Sequence, residues 1–84
     1  MSKYRIEITY CLPWDYSSYA VSTVEELLTN HQKIIEDLRL IPGGSGIFDV
    51  RVNEELIYSK HETGRHAEKG EIAEKFEKII VSKN

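Results

Sequence analysis

The sequence predicts a small α/β domain with the element order β-α-β-β-β-α. Three observations carry that expectation: strict polar and apolar alternation from Lys3 to Tyr10, apolar stripes at helical spacing over Tyr16–Leu28 and Ile72–Ile80, and two short strand patterns separated by a turn between Ile47 and Ser59. At 84 residues the chain supports one core and therefore one domain, spanning 1–84. With 40% hydrophobic and 30% charged residues it is too apolar to stay disordered.

In the first strand Tyr4, Ile6, Ile8 and Tyr10 share one face, with Lys3, Arg5, Glu7 and Thr9 on the other. Cys11-Leu12-Pro13-Trp14-Asp15 follows. Proline in a first helical turn loses no hydrogen bond, so the helix is expected to begin near Pro13. Tyr16, Ala20, Val24, Leu27 and Leu28 then line its apolar face, Ser18, Ser22, Glu25 and Glu26 face water, and Asn30 is a plausible stop. Ile34 and Ile35 fit a last helical turn, whereas Leu38 and Leu40 alternate with Asp37 and Arg39, which places strand two at Asp37–Ile41. Pro42-Gly43-Gly44-Ser45-Gly46 breaks both kinds of regular structure.

Ile47–Val52 and Leu56–Ser59, joined by Asn53-Glu54-Glu55, read as an antiparallel hairpin. Lys60–Gly70 has no apolar period and is expected to be a loop. Ile72, Ala73, Phe76, Ile79 and Ile80 form the stripe of a final helix over Glu71–Val81, whose outer face carries Glu71/Lys75 and Glu74/Lys78 pairs. A strand, helix and strand in succession should be parallel and right-handed, which brings Cys11 beside the Pro42–Gly46 segment.

Eleven basic against fourteen acidic residues give a net charge of -3, with no basic stripe for a nucleic-acid backbone, so DNA and RNA are not expected partners. The apolar runs are only a few residues long and the start lacks a secretory pattern, so no membrane association and a cytoplasmic location are expected. A lone cysteine closes no internal disulfide, which suits a reducing compartment. Gly43-Gly44-Ser45-Gly46 lacks the phosphate-loop pattern and leads into a strand, so it reads as a flexible segment that lets a peptide or glutathione approach the backbone beside Cys11. His31, His61 and His66 lack metal-ligand spacing and read as solvated surface histidines; neither a metal nor a cofactor is expected.

Read in order, Ile8-Thr9-Tyr10-Cys11, Glu26-Leu27-Leu28, Leu40-Ile41-Pro42-Gly43, Gly46-Ile47-Phe48-Asp49-Val50 with Val52-Asn53, and Leu56-Ile57 before Ser59-Lys60 resemble the Rdx family of selenoproteins W, T and H and their bacterial cysteine-containing relatives. The resemblance covers nearly the whole chain and implies a thioredoxin-like fold and a role in cell redox homeostasis. In that family a cysteine-x-x-cysteine or cysteine-x-x-selenocysteine pair occupies the turn after the first strand. Here Cys11 holds the first position and Trp14 stands in the second. A further departure is Arg65-His66, where many relatives carry phenylalanine-proline. The resemblance also implies that the cis-proline of thioredoxin has no equivalent here, since Ser45-Gly46 precede Ile47.

What remains is monothiol chemistry: Cys11 can form a mixed disulfide with glutathione or a protein thiol, but an external thiol must resolve it. A helix N-terminus would favour an anion at Cys11, while a covering Trp14 and the neighbouring Asp15 would oppose it. The alternatives are a buried structural cysteine, and a non-catalytic interaction module that offers the Cys11/Trp14 edge to a partner. Trp14 itself fits either a lid on the sheet edge or a binding anchor. Cys11 is accordingly the candidate catalytic residue and Pro13, Trp14, Gly43, Gly44, Ser45 and Gly46 the candidate binding residues. A disulfide between two copies is a further use of Cys11 that reducing conditions oppose; the sequence leaves the oligomeric state open.

Overall fold

The alternation of Lys3–Tyr10 becomes β1 (Tyr4–Cys11), in which Tyr4, Ile6 and Ile8 are buried. The computed structural model describes residues 3–83. The other elements are α1 (Ser17–His31), a 3-10 turn (Gln32–Ile34), β2 (Ile35–Gly43), β3 (Phe48–Val52), β4 (Glu55–Ser59), α2 (Lys60–Thr63) and α3 (Glu71–Lys83). The strands form one sheet in the order β2-β1-β3-β4. β1 and β2 are parallel, as the strand-helix-strand order requires, and β3 runs antiparallel to both β1 and β4.

The core joins Tyr4, Ile6 and Ile8 of β1 to Phe48, Val50 and Val52 of β3, Ala20 and Leu27 of α1, and Ile72, Ala73 and Phe76 of α3. Because both long helices feed one cluster, they cover the same face of the sheet. The other face carries the polar half of the alternation, with Glu7 in register with Arg39 on one side and Arg51 on the other. Asn53 and Glu54, at φ 49° and 74°, make the tight β3–β4 turn whose left-handed residues match the twist of a hairpin. Asn53 also seals the end of β1, its N–H donating to the Arg5 carbonyl and its Oδ1 accepting from the Arg5 N–H.

Several boundaries differ from the sequence reading, each for a local reason. α1 starts at Ser17 instead of near Pro13, because Asp15 adopts the left-handed φ of 53° and so ends any helix that includes it. β2 reaches from Ile35 to Gly43, beyond Asp37–Ile41 at both ends. The alternation is unreadable at Ile34 and Ile35 because Ile34 closes the 3-10 turn and a register shift opposite Tyr4/Arg5 follows Ile35. Pro42 is tolerated inside β2 because this is an edge strand. Lys60–Thr63 is a short helix, closed by Gly64 at φ 79°. On α1 it is Thr23 that is buried while Leu28 is exposed; Thr23 Oγ1 donates to the Tyr19 carbonyl and so enters the core with its hydroxyl satisfied. Among the described residues no helix is long and apolar enough to cross a membrane.

Candidate functional site

Cys11 is the last residue of β1 and pairs with Gly43, the last residue of β2, so the thiol and the glycine segment are neighbours as the topology requires. The Leu12 N–H continues the ladder to the Gly43 carbonyl at 3.2 Å. The chain then folds over in a tight turn, with the Asp15 N–H on the Leu12 carbonyl at 3.0 Å and the Tyr16 N–H on the Cys11 carbonyl at 2.9 Å. Pro13 serves this turn at its second position, which a proline's fixed φ favours, and does not open the helix. Asp15 takes the left-handed position and its Oδ1 accepts the Ser17 hydroxyl at 2.6 Å.

The turn closes over the sulfur. Cys11 is 0% exposed, whereas Leu12 and Trp14 on either side of Pro13 are each 60% exposed. The Trp14 backbone N–H donates to Sγ at 3.2 Å. α1 begins only at Ser17, so the donor to the sulfur is a turn amide and not a helix N-terminus. The indole lies against Gly46, where a Cβ would come within 3.1 Å of Trp14 Cζ3, and it meets Tyr16 edge-on at 6.2 Å. Trp14 therefore covers Gly46 with part of its ring and leaves the rest in solvent, while Gly44 stays open.

A second group, illegible in the sequence, packs beside this turn. The His66 imidazole stacks on Tyr19, with centroids 3.7 Å apart and planes at 4°, and meets Tyr16 edge-on at 4.5 Å. The expectation of a solvated His66 is corrected: His66 is half-buried and its Nδ1 is buried without a partner. Desolvation, with the nearby Lys60 charge adding to it, lowers the His66 pKa below its ordinary 6.5. His31 is likewise packed, edge-on to Phe76 at 5.3 Å and bonded to Glu77 at 3.1 Å. The only trace of the slot in the sequence is the Tyr16/Tyr19 spacing, because residue 66 lies on a segment without period. Among the described residues no three His, Cys, Asp or Glu side chains are grouped to hold a metal ion.

Arg65 anchors the same segment to the start of α3 through two bonds to Glu71, at 2.8 and 3.0 Å. Glu71 also accepts the Glu68 N–H at 2.9 Å. Bonding to Arg65, reinforced by that amide, brings the Glu71 carboxyl from 4.5 down to about 2. A carboxyl more acidic in the folded chain than in the unfolded one adds stability that is complete above 4.5 and is lost as pH falls towards 2. Acid unfolding followed by circular dichroism should show this loss in the wild type, and Glu71→Gln should flatten the dependence within that window.

The comparisons with known proteins follow the same outline. The Rdx family model matches residues 5–78. A selenoprotein W-related protein from Vibrio cholerae is similar in structure, with a TM-score of 0.88 and 25% identity over 94% of this chain and 99% of that one. A protein from Bordetella parapertussis has the same fold, with a TM-score of 0.85 and 22% identity over 90% of this chain and 96% of that one. No curated protein sequence matches the chain.

Proposed function

The chain belongs to the Rdx family, and from that premise we propose that it has a redox-related role in which Cys11 acts as a monothiol. The observation that carries this reading is the Trp14 N–H held on Sγ at 3.2 Å, which gives the sulfur a fixed backbone donor at the exit of a central strand. The attacking species is the thiolate, its proton lost to solvent. It displaces one thiolate from glutathione disulfide or a protein disulfide and becomes a mixed disulfide. An external thiolate then attacks the outer sulfur, carries the captured group away in a new disulfide and releases the Cys11 thiolate, which regains a proton from solvent. With Trp14 in the second family position, no internal thiol competes for that step.

Since Sγ is 0% exposed, exchange requires the turn to lift, which breaks the Asp15–Leu12 and Tyr16–Cys11 backbone bonds. Intact-mass measurement of native protein incubated with glutathione disulfide should show one glutathione on Cys11, added faster than the chain globally unfolds. Addition only after denaturation would overturn the monothiol reading.

A second reading is favoured by the contrast between the buried sulfur and the exposed Leu12 and Trp14. It makes the turn a docking edge of a non-catalytic interaction module, with the indole as anchor. Partner binding that survives Cys11→Ser and collapses in a folded Trp14→Ala chain belongs to that reading alone.

A further inference from the structure

The segment after α2 touches the turn over Cys11 through one aromatic ring. Tyr16 meets His66 at 4.5 Å on one side and Trp14 at 6.2 Å on the other, while its backbone N–H holds the Cys11 carbonyl at 2.9 Å. Every link from the imidazole to the turn over the buried sulfur is therefore a direct contact or a hydrogen bond. We infer that residues 64–70 form a proton-operated strap, in which neutral His66, stacked on Tyr19 and against Tyr16, keeps the 12–16 turn shut, and protonated His66 leaves the slot and lets the turn open.

The slot is built for a neutral ring. Nδ1 is buried with no acceptor, so the N–H that protonation adds there would be unsatisfied. From α2, Lys60 places its ammonium 5.8 Å over the Tyr16 ring and opposes a second positive charge in the slot. From α1, Glu26 lines the same pocket, but its two oxygens accept the Gly70 and Ala73 N–H groups. From α3, Glu71 is held by Arg65. Tyr16 and Tyr19 present ring carbons, β3 presents Phe48 at 6.2 Å, and Glu68 and Lys69 on the strap itself carry opposite charges. Among the described residues no acid is hydrogen-bonded to the ring, and the charge that acts on it is the Lys60 ammonium.

The sign follows from the buried, acceptor-less Nδ1. An imidazole that is harder to protonate in the closed form than in the open one makes closure complete above the ordinary histidine value of 6.5 and progressively lost as pH falls below it. The Arg65–Glu71 pair and the core residues of α3 stay in place over that interval, because Glu71 remains ionised down to about 2. The opening is therefore local to the strap and the turn.

The consequence for thiol exchange rests on the monothiol reading, but the strap itself does not, so two readouts separate them. Amide hydrogen exchange at 66–67, between the anchored Arg65 and Glu68, and at Tyr16, corrected for the intrinsic pH dependence of exchange, reports the strap. Reaction of Cys11 with 4,4′-dithiodipyridine, divided by the rate of the denatured chain at the same pH, reports the turn. Between pH 7.5 and 5 both are expected to rise severalfold in the wild type and to stay flat in His66→Phe, which keeps the ring and loses the proton site. His66→Lys should be open already at pH 7.5. Unchanged corrected exchange in the wild type, a rise that persists in His66→Phe, or an opened strap with Cys11 still protected would each overturn the inference. A strap and turn that open as expected, in a chain that takes up no glutathione, would uphold the inference and dismiss the monothiol function.

Discussion

Glu26→Ala is expected to destabilise the fold by about 2 to 3 kcal/mol, from the loss of charge-assisted hydrogen bonds and of a helix cap. Gly70, the residue before α3, has no side chain to cap the helix and sits at φ 85°. The cap comes from another helix: Glu26 on α1 accepts the Gly70 N–H with Oε1 and the Ala73 N–H with Oε2, both at 2.9 Å. One carboxylate thus makes the two bonds that a capping box divides between two residues of the same helix. Its charge also lies at the positive end of α3. Removing it strands two backbone donors and unties α1 from α3. For a domain of this size the loss corresponds to a fall in Tm of about 10 to 20 °C, measurable by calorimetry or circular dichroism. Glu26→Gln should lose less, since its amide oxygen still accepts one N–H while its NH2 faces the other. If Glu26→Ala melts with the wild type, the cap contributes nothing.

The assignment of Glu26 to the solvent face shows where sequence reasoning stops. Helical period places a residue on a face, but it does not show that a glycine forty-odd positions later will leave a helix end without a cap. Where period is enough, the reading holds: β1, the β3–β4 hairpin and the buried stripe of α3 all follow from spacing in two or in three and four. The pairing of Cys11 with Gly43 follows from topology alone, because parallel strands joined by one helix end on the same edge. The burial of the sulfur does not. It depends on Pro13 and Asp15 spending their conformational preferences on a turn, and those same preferences read equally well as a helix start. His66 was illegible for a different reason: its stack on Tyr19 joins elements far apart in the chain, and nothing in the 60–70 composition distinguishes a packed segment from a solvated one. The family's characteristic second redox position is visible in the sequence as Trp14, but only the structure shows that its main chain, through the amide, reaches the sulfur while its ring goes to Gly46.

Gly43→Ala is expected to cost about 1 to 3 kcal/mol, the range for forcing a methyl group into a well-packed place, and to raise the reactivity of Cys11. A Cβ at Gly43 would lie 2.7 Å from Thr9 Cγ2 and 2.9 Å from Ile47 Cγ2, with the Tyr10 carbonyl oxygen at 3.6 Å. Both methyls belong to β-branched side chains whose stiff χ1 leaves little room to retreat, so the strain passes to the backbone and parts β2 from β1. The place where they part is the Cys11–Gly43 pair, where the Leu12 N–H still holds the Gly43 carbonyl. Gly44→Ala is the internal control, because a Cβ there meets nothing within 4 Å; its stability should change by no more than about 0.5 kcal/mol. Chemical denaturation gives the first quantity and the rate of thiol modification under native conditions the second. Faster labelling of Cys11 in Gly43→Ala but not in Gly44→Ala would mean that close packing of β2 on β1 helps keep the sulfur closed. Equal labelling in both, with the expected loss of stability in one, would leave the 12–16 turn as the whole of the barrier.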